Sequence, residues 1–265
     1  MRLLKAYIWK TFKDFKAGNF FWIFVSLIVI LSIFTIITSQ LPFTSTTEAA
    51  LRYQAENYLK FEVITKKTLE ITFIIIQLPY LITIFSSIMI STFVLGSVGY
   101  ERGKGILELL LTTEFDLKDI ILTILITSFM VSILIWTVLF SAGYFFAFIG
   151  SRILLHISFS MPTDYLQLIL LFSPLISLLA GILAVYLSMF IDIEYRGGIS
   201  SPKNFIAIIP LLPALLSFLY MSIKPEVSPI ALTKYVLLIA SVLLIILLFT
   251  VPKIITVEKF IGIRR

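Results

Sequence analysis

Three charged side chains stand close together where they could do recognition chemistry: Glu101, Arg102 and Glu108, within Glu101-Arg102-Gly103-Lys104-Gly105-Ile106-Leu107-Glu108-Leu109-Leu110-Leu111-Thr112-Thr113. Carboxylates and a guanidinium make charge-assisted hydrogen bonds to a partner or to a neighbouring helix, and these are the strong ones. Gly103 and Gly105 let the backbone turn sharply at the end of a long helix. Ile106, Leu109 and Leu110 recur at helical spacing, which leaves an apolar face in need of a protein or interfacial surface. Long apolar runs flank the stretch, so it must leave the bilayer. It predicts a short docking helix.

Other chemistry is hard to assemble. Gly103-Lys104 is not a phosphate-binding loop, because the residue five before Gly103 is Val98 rather than glycine and Gly105 stands where Ser or Thr should hold magnesium. The single His156 sits in a short loop with no second His or Cys, so it reads as a solvated histidine rather than a metal ligand. Asp192, Glu194 and Arg196 read as a solvated loop-end cluster in preference to a catalytic pair. With no cysteine there is no disulfide framework, thiolate metal site or thiol nucleophile. The expectation is no metal site, no cofactor held by this chain and no enzyme activity of its own.

The elements that must position the docking helix come from composition. Of 265 residues, 59% are hydrophobic and 14% charged, with a mean hydropathy of +1.06, against roughly 45–50% and about 25% in soluble domains. This predicts an all-α, polytopic integral membrane protein forming a single transmembrane domain over 1–265. A spanning helix needs about 20 apolar residues. Six stretches qualify: Phe20 to Leu41, Ile71 to Val98, Asp119 to Ile149, Tyr165 to Ile191, Asn204 to Ile223 and Tyr235 to Pro252. The first follows a lysine-rich segment and is too long for the apolar part of a cleavable signal, so it is expected to be retained. Prolines 79, 174, 210 and 213 invite local kinks.

Lys and Arg number fourteen on one side of this topology and seven on the other, which puts both termini and residues 99–118 in the cytoplasm of a multi-pass cell-membrane protein. The net charge of +6 then follows from topology, and no nucleic-acid partner is implied. Residues 1–18 place Leu4, Ile8, Phe12 and Phe15 on one helical face and Lys5, Lys10, Lys13 and Lys16 on the other, the pattern of an amphipathic helix in the membrane interface. Whether it only anchors on the lipid bilayer or also contacts a partner subunit stays open. In the outer loop, 42–70, Ser45 to Glu48 has the form of a capping box, and Glu48, Arg52, Glu56 and Lys60 alternate in charge along one helix face. A short solvated helix is expected there, and its plain reading is a connector.

The spans hold essentially no ionisable side chain away from their ends, which argues against proton or sodium coupling and against a charge-ring filter.

The six spans, the basic interfacial helix and the charged helix between spans two and three together resemble the type-2 ABC exporter permease family, the transmembrane subunits of ABC transporters. The stretch from Tyr100 to Thr113 is similar to that family's E-R-x-x-G-T-L-E-L-L-L-T-[ST]-P pattern, with Ile106 in place of the usual threonine and Glu114 where proline is common. Phe115 to Leu122 fits the polar turn that precedes span three. The architectural likeness covers the whole chain and the specific one about twenty residues.

The resemblance implies a permease that pairs with a second copy or a paralogue and binds separate ATPase subunits, which carry the ATP and magnesium. The helix between spans two and three would be the coupling helix. The positions carried over are Glu101, Arg102, Gly105, Leu107, Glu108, Leu109, Leu110 and Thr112. ATPase closure would move both coupling helices and open a path between the permease halves. Phe73, Tyr80, Phe85, Phe205, Phe218 and Tyr220 make an apolar bundle suited to lipid-like cargo, with drugs and peptides as alternatives; aromatic residues also pack a bundle without facing a path. The competing reading is a membrane scaffold or assembly protein without transport activity, for which the same helix is a generic binding site.

Overall fold

The computed structural model describes residues 2–17, 25, 29, 33, 45–57, 59–113, 115–154, 165, 166, 168–190, 209–216 and 229–254. These are helical throughout, apart from short turns. We number the helices α1 (Arg2–Ala17), α2 (Ser45–Asn57), α3 (Lys66–Gly103), α4 (Ile106–Leu111), α5 (Leu117–Leu154), α6 (Ser173–Phe190) and α7 (Pro229–Ile254). A π-helical turn, Leu168–Phe172, leads into α6.

Among the described residues, three helices are long and apolar enough to cross a membrane: α3, α5, and the run Ile169–Met189 made by the π turn and α6. They coincide with the expected second, third and fourth spans. The expected sixth is α7, whose apolar stretch Lys234–Thr250 is shorter than these. The expected first span lies outside the described residues except at 25, 29 and 33, and the fifth except at 209–216. His156, the Asp192 to Arg196 cluster, Glu114 and the residues after 254 also lie outside them.

Helices α3, α5 and α6 pack on one another, with α7 against α6, α1 against α5 and α2 against α3. Small residues let their backbones approach. A Cβ on Gly181 of α6 would stand 2.6 Å from Ser132 Oγ on α5 and 3.0 Å from Ile90 Cγ2 on α3. One on Gly143 of α5 would meet the Ile82 side chain of α3 at 3.1 Å. Where lipid surrounds a bundle, close packing and interhelical hydrogen bonds hold it together, since lipid tails are as apolar as the side chains. Ser173 of α6 is such a junction: its hydroxyl accepts from the Trp136 indole of α5 at 2.9 Å and lies 2.8 Å from the Thr83 hydroxyl of α3. One turn further along α6, Ser177 bonds Ser86 of α3.

Proline shapes the bundle locally. Pro79, inside α3, has no N–H to give to the carbonyl of Ile75 four residues back. The buried Tyr165 hydroxyl donates to that carbonyl instead, and Tyr144 of α5 lies 3.1 Å from the same hydroxyl. Pro174, at the second position of α6, falls just after the π-helical turn, a form that appears where the regular hydrogen-bond ladder of a helix is interrupted.

Helix α3 runs past the apolar stretch Ile71 to Val98 at both ends. At 1.5 Å per residue its 38 residues measure about 57 Å, well over the roughly 30 Å of hydrocarbon that a crossing helix has to span. Its start is capped by Thr65, which accepts from the Thr68 N–H at 3.3 Å while Thr68 Oγ1 accepts from the Thr65 N–H at 2.7 Å. The expected box at Ser45 is different: Ser45 already lies within α2. The Glu48–Arg52 pair does form, at 2.9 Å. The charge series stops before Lys60, because α2 ends at Asn57 and Lys60 lies beyond it in a left-handed conformation, φ 55°. The inner face of α2 packs Leu51 and Ala55 on Leu69 of α3.

Candidate docking site

The last turn of α3 carries Glu101 and Arg102 past Val98, where the apolar run ends, and both turn inward. Glu101 is fully buried and accepts a hydrogen bond from the Lys10 ammonium of α1. Burial pushes its carboxyl up from 4.5 to about 8, because a charge out of water loses hydration. The Lys10 cation opposes that shift. Its other oxygen, Oε2, finds no hydrogen-bond partner among the described residues. Arg102 reaches the opposite way and donates Nη1 to the carbonyls of Ser188 at 3.3 Å and Met189 at 2.9 Å. These are last-turn carbonyls of α6, where a cation both supplies missing donors and complements the helix dipole. Two consecutive residues thus tie α3 to two different elements.

The chain then reverses. Lys104 donates its N–H to the Tyr100 carbonyl at 3.0 Å, and Gly105 adopts φ 68°, a left-handed conformation that a side chain would strain. Of the two glycines the sequence offers for the turn, Gly105 is the one with the special geometry. Helix α4 follows. Leu107 is its anchor, 1% exposed in the core, with Leu110 and Leu111 packed against the same cluster. Of the expected apolar face, Leu109 is 65% exposed, and Ile106 and Leu110 are half-buried. Thr112 and Thr113 close the helix by donating their hydroxyls back to the carbonyls of Leu109 and Leu110. That ending needs no proline at 114.

Of the positions carried over by resemblance, Glu108, Leu109 and Thr112 face outward. Glu101 and Arg102 tie the end of α3 to α1 and α6, Leu107 and Leu110 hold α4 to the bundle, and Gly105 turns the chain. Lys104 and Thr113, which were not among the carried-over positions, are exposed beside the outward three. The α6 carbonyls that receive Arg102 carry no signal in sequence, because every helix end has them.

In α1, Lys5 and Lys13 are exposed, as expected of interfacial lysines, and Lys16 lies in the same helix. Lys10 departs from this set, being drawn to Glu101. The face turned to the bundle is Leu3, Tyr7 and Thr11. It lies about a quarter turn, at 100° per residue, from the apolar face expected in the membrane interface, of which Leu4 and Ile8 are half-buried.

Among the cargo-lining candidates, Tyr80 is buried edge-on against Phe172 at 5.4 Å, Phe85 is partly buried against the main core, and Phe73 packs beside α2. Phe205, Phe218 and Tyr220 lie outside the described residues. Compared with protein-family models, curated proteins and solved structures, the chain matches none.

Proposed function

We propose that this chain is the transmembrane permease subunit of an ATP-driven exporter of the type-2 ABC kind, with α4 as its coupling helix. In this reading Glu108, Leu109 and Thr112 meet a separate ATPase subunit that carries ATP and magnesium, on the cytoplasmic side of the cell membrane. A second permease copy or paralogue completes the path, and the cargo is lipid-like, a drug or a peptide. The observation that carries the proposal is the division of labour in one family-like stretch: outward residues on a short helix, followed back along the chain by two charges that grip α1 and α6. A push on α4 would pass through Arg102 to the end of α6 and through Glu101 to α1. Two elements would move with it.

The test is co-purification of the tagged chain with the ATPase encoded beside it. Glu108→Arg and Leu109→Asp alter exposed side chains, so the bundle should persist while the ATPase is lost. Retention of the ATPase in both variants would overturn the docking assignment. If wild type captures no ATPase, the scaffold reading takes its place.

A further inference from the structure

Helix α1 has three sides. One faces the bundle through Leu3, Tyr7 and Thr11, with Lys10 at its edge. A second carries Leu4, Ile8, Phe12 and Phe15 in register. The third holds Lys5, Trp9 and Lys13, all exposed, and Lys16 falls in it by helical register. Trp9 is 66% exposed, and the Lys13 ammonium lies 5.1 Å over its ring. Asp14, the sole acidic residue of α1, falls in register with the bundle side, so no acidic residue interrupts the basic side.

We infer that the side of α1 bearing Lys5, Trp9, Lys13 and Lys16 binds the headgroups of anionic phospholipid, and that Lys10 takes no part in that binding. Lysines near a membrane surface are attracted by anionic lipid, each by about fivefold in affinity, and tryptophan settles at headgroup level. Charge complementarity selects this occupant: an uninterrupted basic strip with one exposed indole, next to an apolar face, fits a negatively charged lipid surface. Counting lysines along the helix would assign Lys10 the same role. Its ion pair with the buried Glu101 removes it. The inference rests on a membrane setting for α1 and is independent of the ATP-driven reading.

The test uses the full chain with Ala6→Cys, an exposed position in a chain that has no cysteine, carrying an environment-sensitive fluorophore. The protein is reconstituted into phosphatidylcholine vesicles with increasing phosphatidylglycerol. Emission should shift to the blue as anionic lipid rises, and added salt should reverse the shift. Lys5→Gln and Lys13→Gln should each weaken the response by about fivefold. Lys10→Gln should change it no more than Glu101→Gln, which breaks the same buried pair without touching the charge of α1. Identical emission in both lipids would overturn the inference. So would a response weakened by Lys10→Gln as much as by Lys13→Gln while Glu101→Gln leaves it intact.

Discussion

Tyr165 and Glu101 each answer a local deficit. Pro79 leaves the Ile75 carbonyl without its helical donor, and the Tyr165 hydroxyl supplies one from a helix ninety residues away. Tyr165→Phe should therefore lower stability by about 1–3 kcal/mol, the cost of a buried unsatisfied carbonyl. In a Pro79→Ala background the restored N–H can take that role, so the same change should cost much less. Thermal unfolding of the four variants in one detergent checks this, and an equal cost in both backgrounds would assign Tyr165 another role. At Glu101 the pH dependence has a definite sign. Its carboxyl titrates near 8 in the fold against 4.5 for an unperturbed group, so burial favours the protonated form. The stability from burying Glu101 is fully present below pH 4.5 and is lost as pH rises through about 8; Lys10→Met removes the cation that opposes the upward shift and so deepens that loss at high pH. Melting temperatures at pH 6 and pH 9 should diverge more in this variant than in wild type. Glu101 and Arg102 were legible in sequence as charged groups built for strong hydrogen bonds. Their inward direction was not, because their partners lie in α1 and α6, 91 and 86–87 residues distant.

The hinge between α3 and α4 is where element geometry depends on one residue. Gly105 at φ 68° should not tolerate a side chain well: Gly105→Ala is expected to cost about 1–2 kcal/mol and to loosen α4. Gly103 ends α3 with nothing within 4 Å of where a Cβ would stand. Gly103→Ala should then be neutral or stabilising by up to about 1 kcal/mol, since alanine favours the helix. Hydrogen exchange of the amides in Ile106–Leu111 separates the two, with protection falling only in the Gly105 variant. Sequence periodicity placed α4 between two apolar helices and gave it an apolar face of Ile106, Leu109 and Leu110 in need of a cover, but did not single out Leu107 as the residue that the core takes. Six residues make fewer than two turns, so Leu107 and Leu109 are nearly equivalent candidates until a core is present to accept one of them. The start of α3 was missed for a related reason: Thr68 performs the reciprocal bond usually expected of Glu or Gln, so Thr65-x-x-Thr68 does not read as a capping box.

Across the whole molecule, the outward sides of α5 and α7 are apolar, with Phe129, Met130, Ile133 and Phe145 on one and Leu238, Ile239, Val242 and Phe249 on the other. A chain with such a surface and three helices long enough to cross a membrane belongs in a bilayer. The length of α3 adds a topological consequence. Single cysteines replacing Lys67 and Lys104, both exposed, should react with an impermeant maleimide from opposite sides of a sealed vesicle; labelling from one side would show that α3 does not cross. Much of this scale was written in the chain. Apolar runs and helical period determined that it is helical and membrane-embedded, where α3, α5 and α6 run, and that a charged turn-helix lies between the first two of these. Those are properties of neighbouring residues, which hydropathy and spacing record directly. Only the tertiary structure decided the rotation of α1 and α4, the separation of Lys10 from its fellow lysines, and the pairing of Tyr165 with the carbonyl freed by Pro79. Each depends on which side of one helix meets another across long stretches of chain, and that phase is set by the side chains a distant helix accepts, which neighbouring residues do not record.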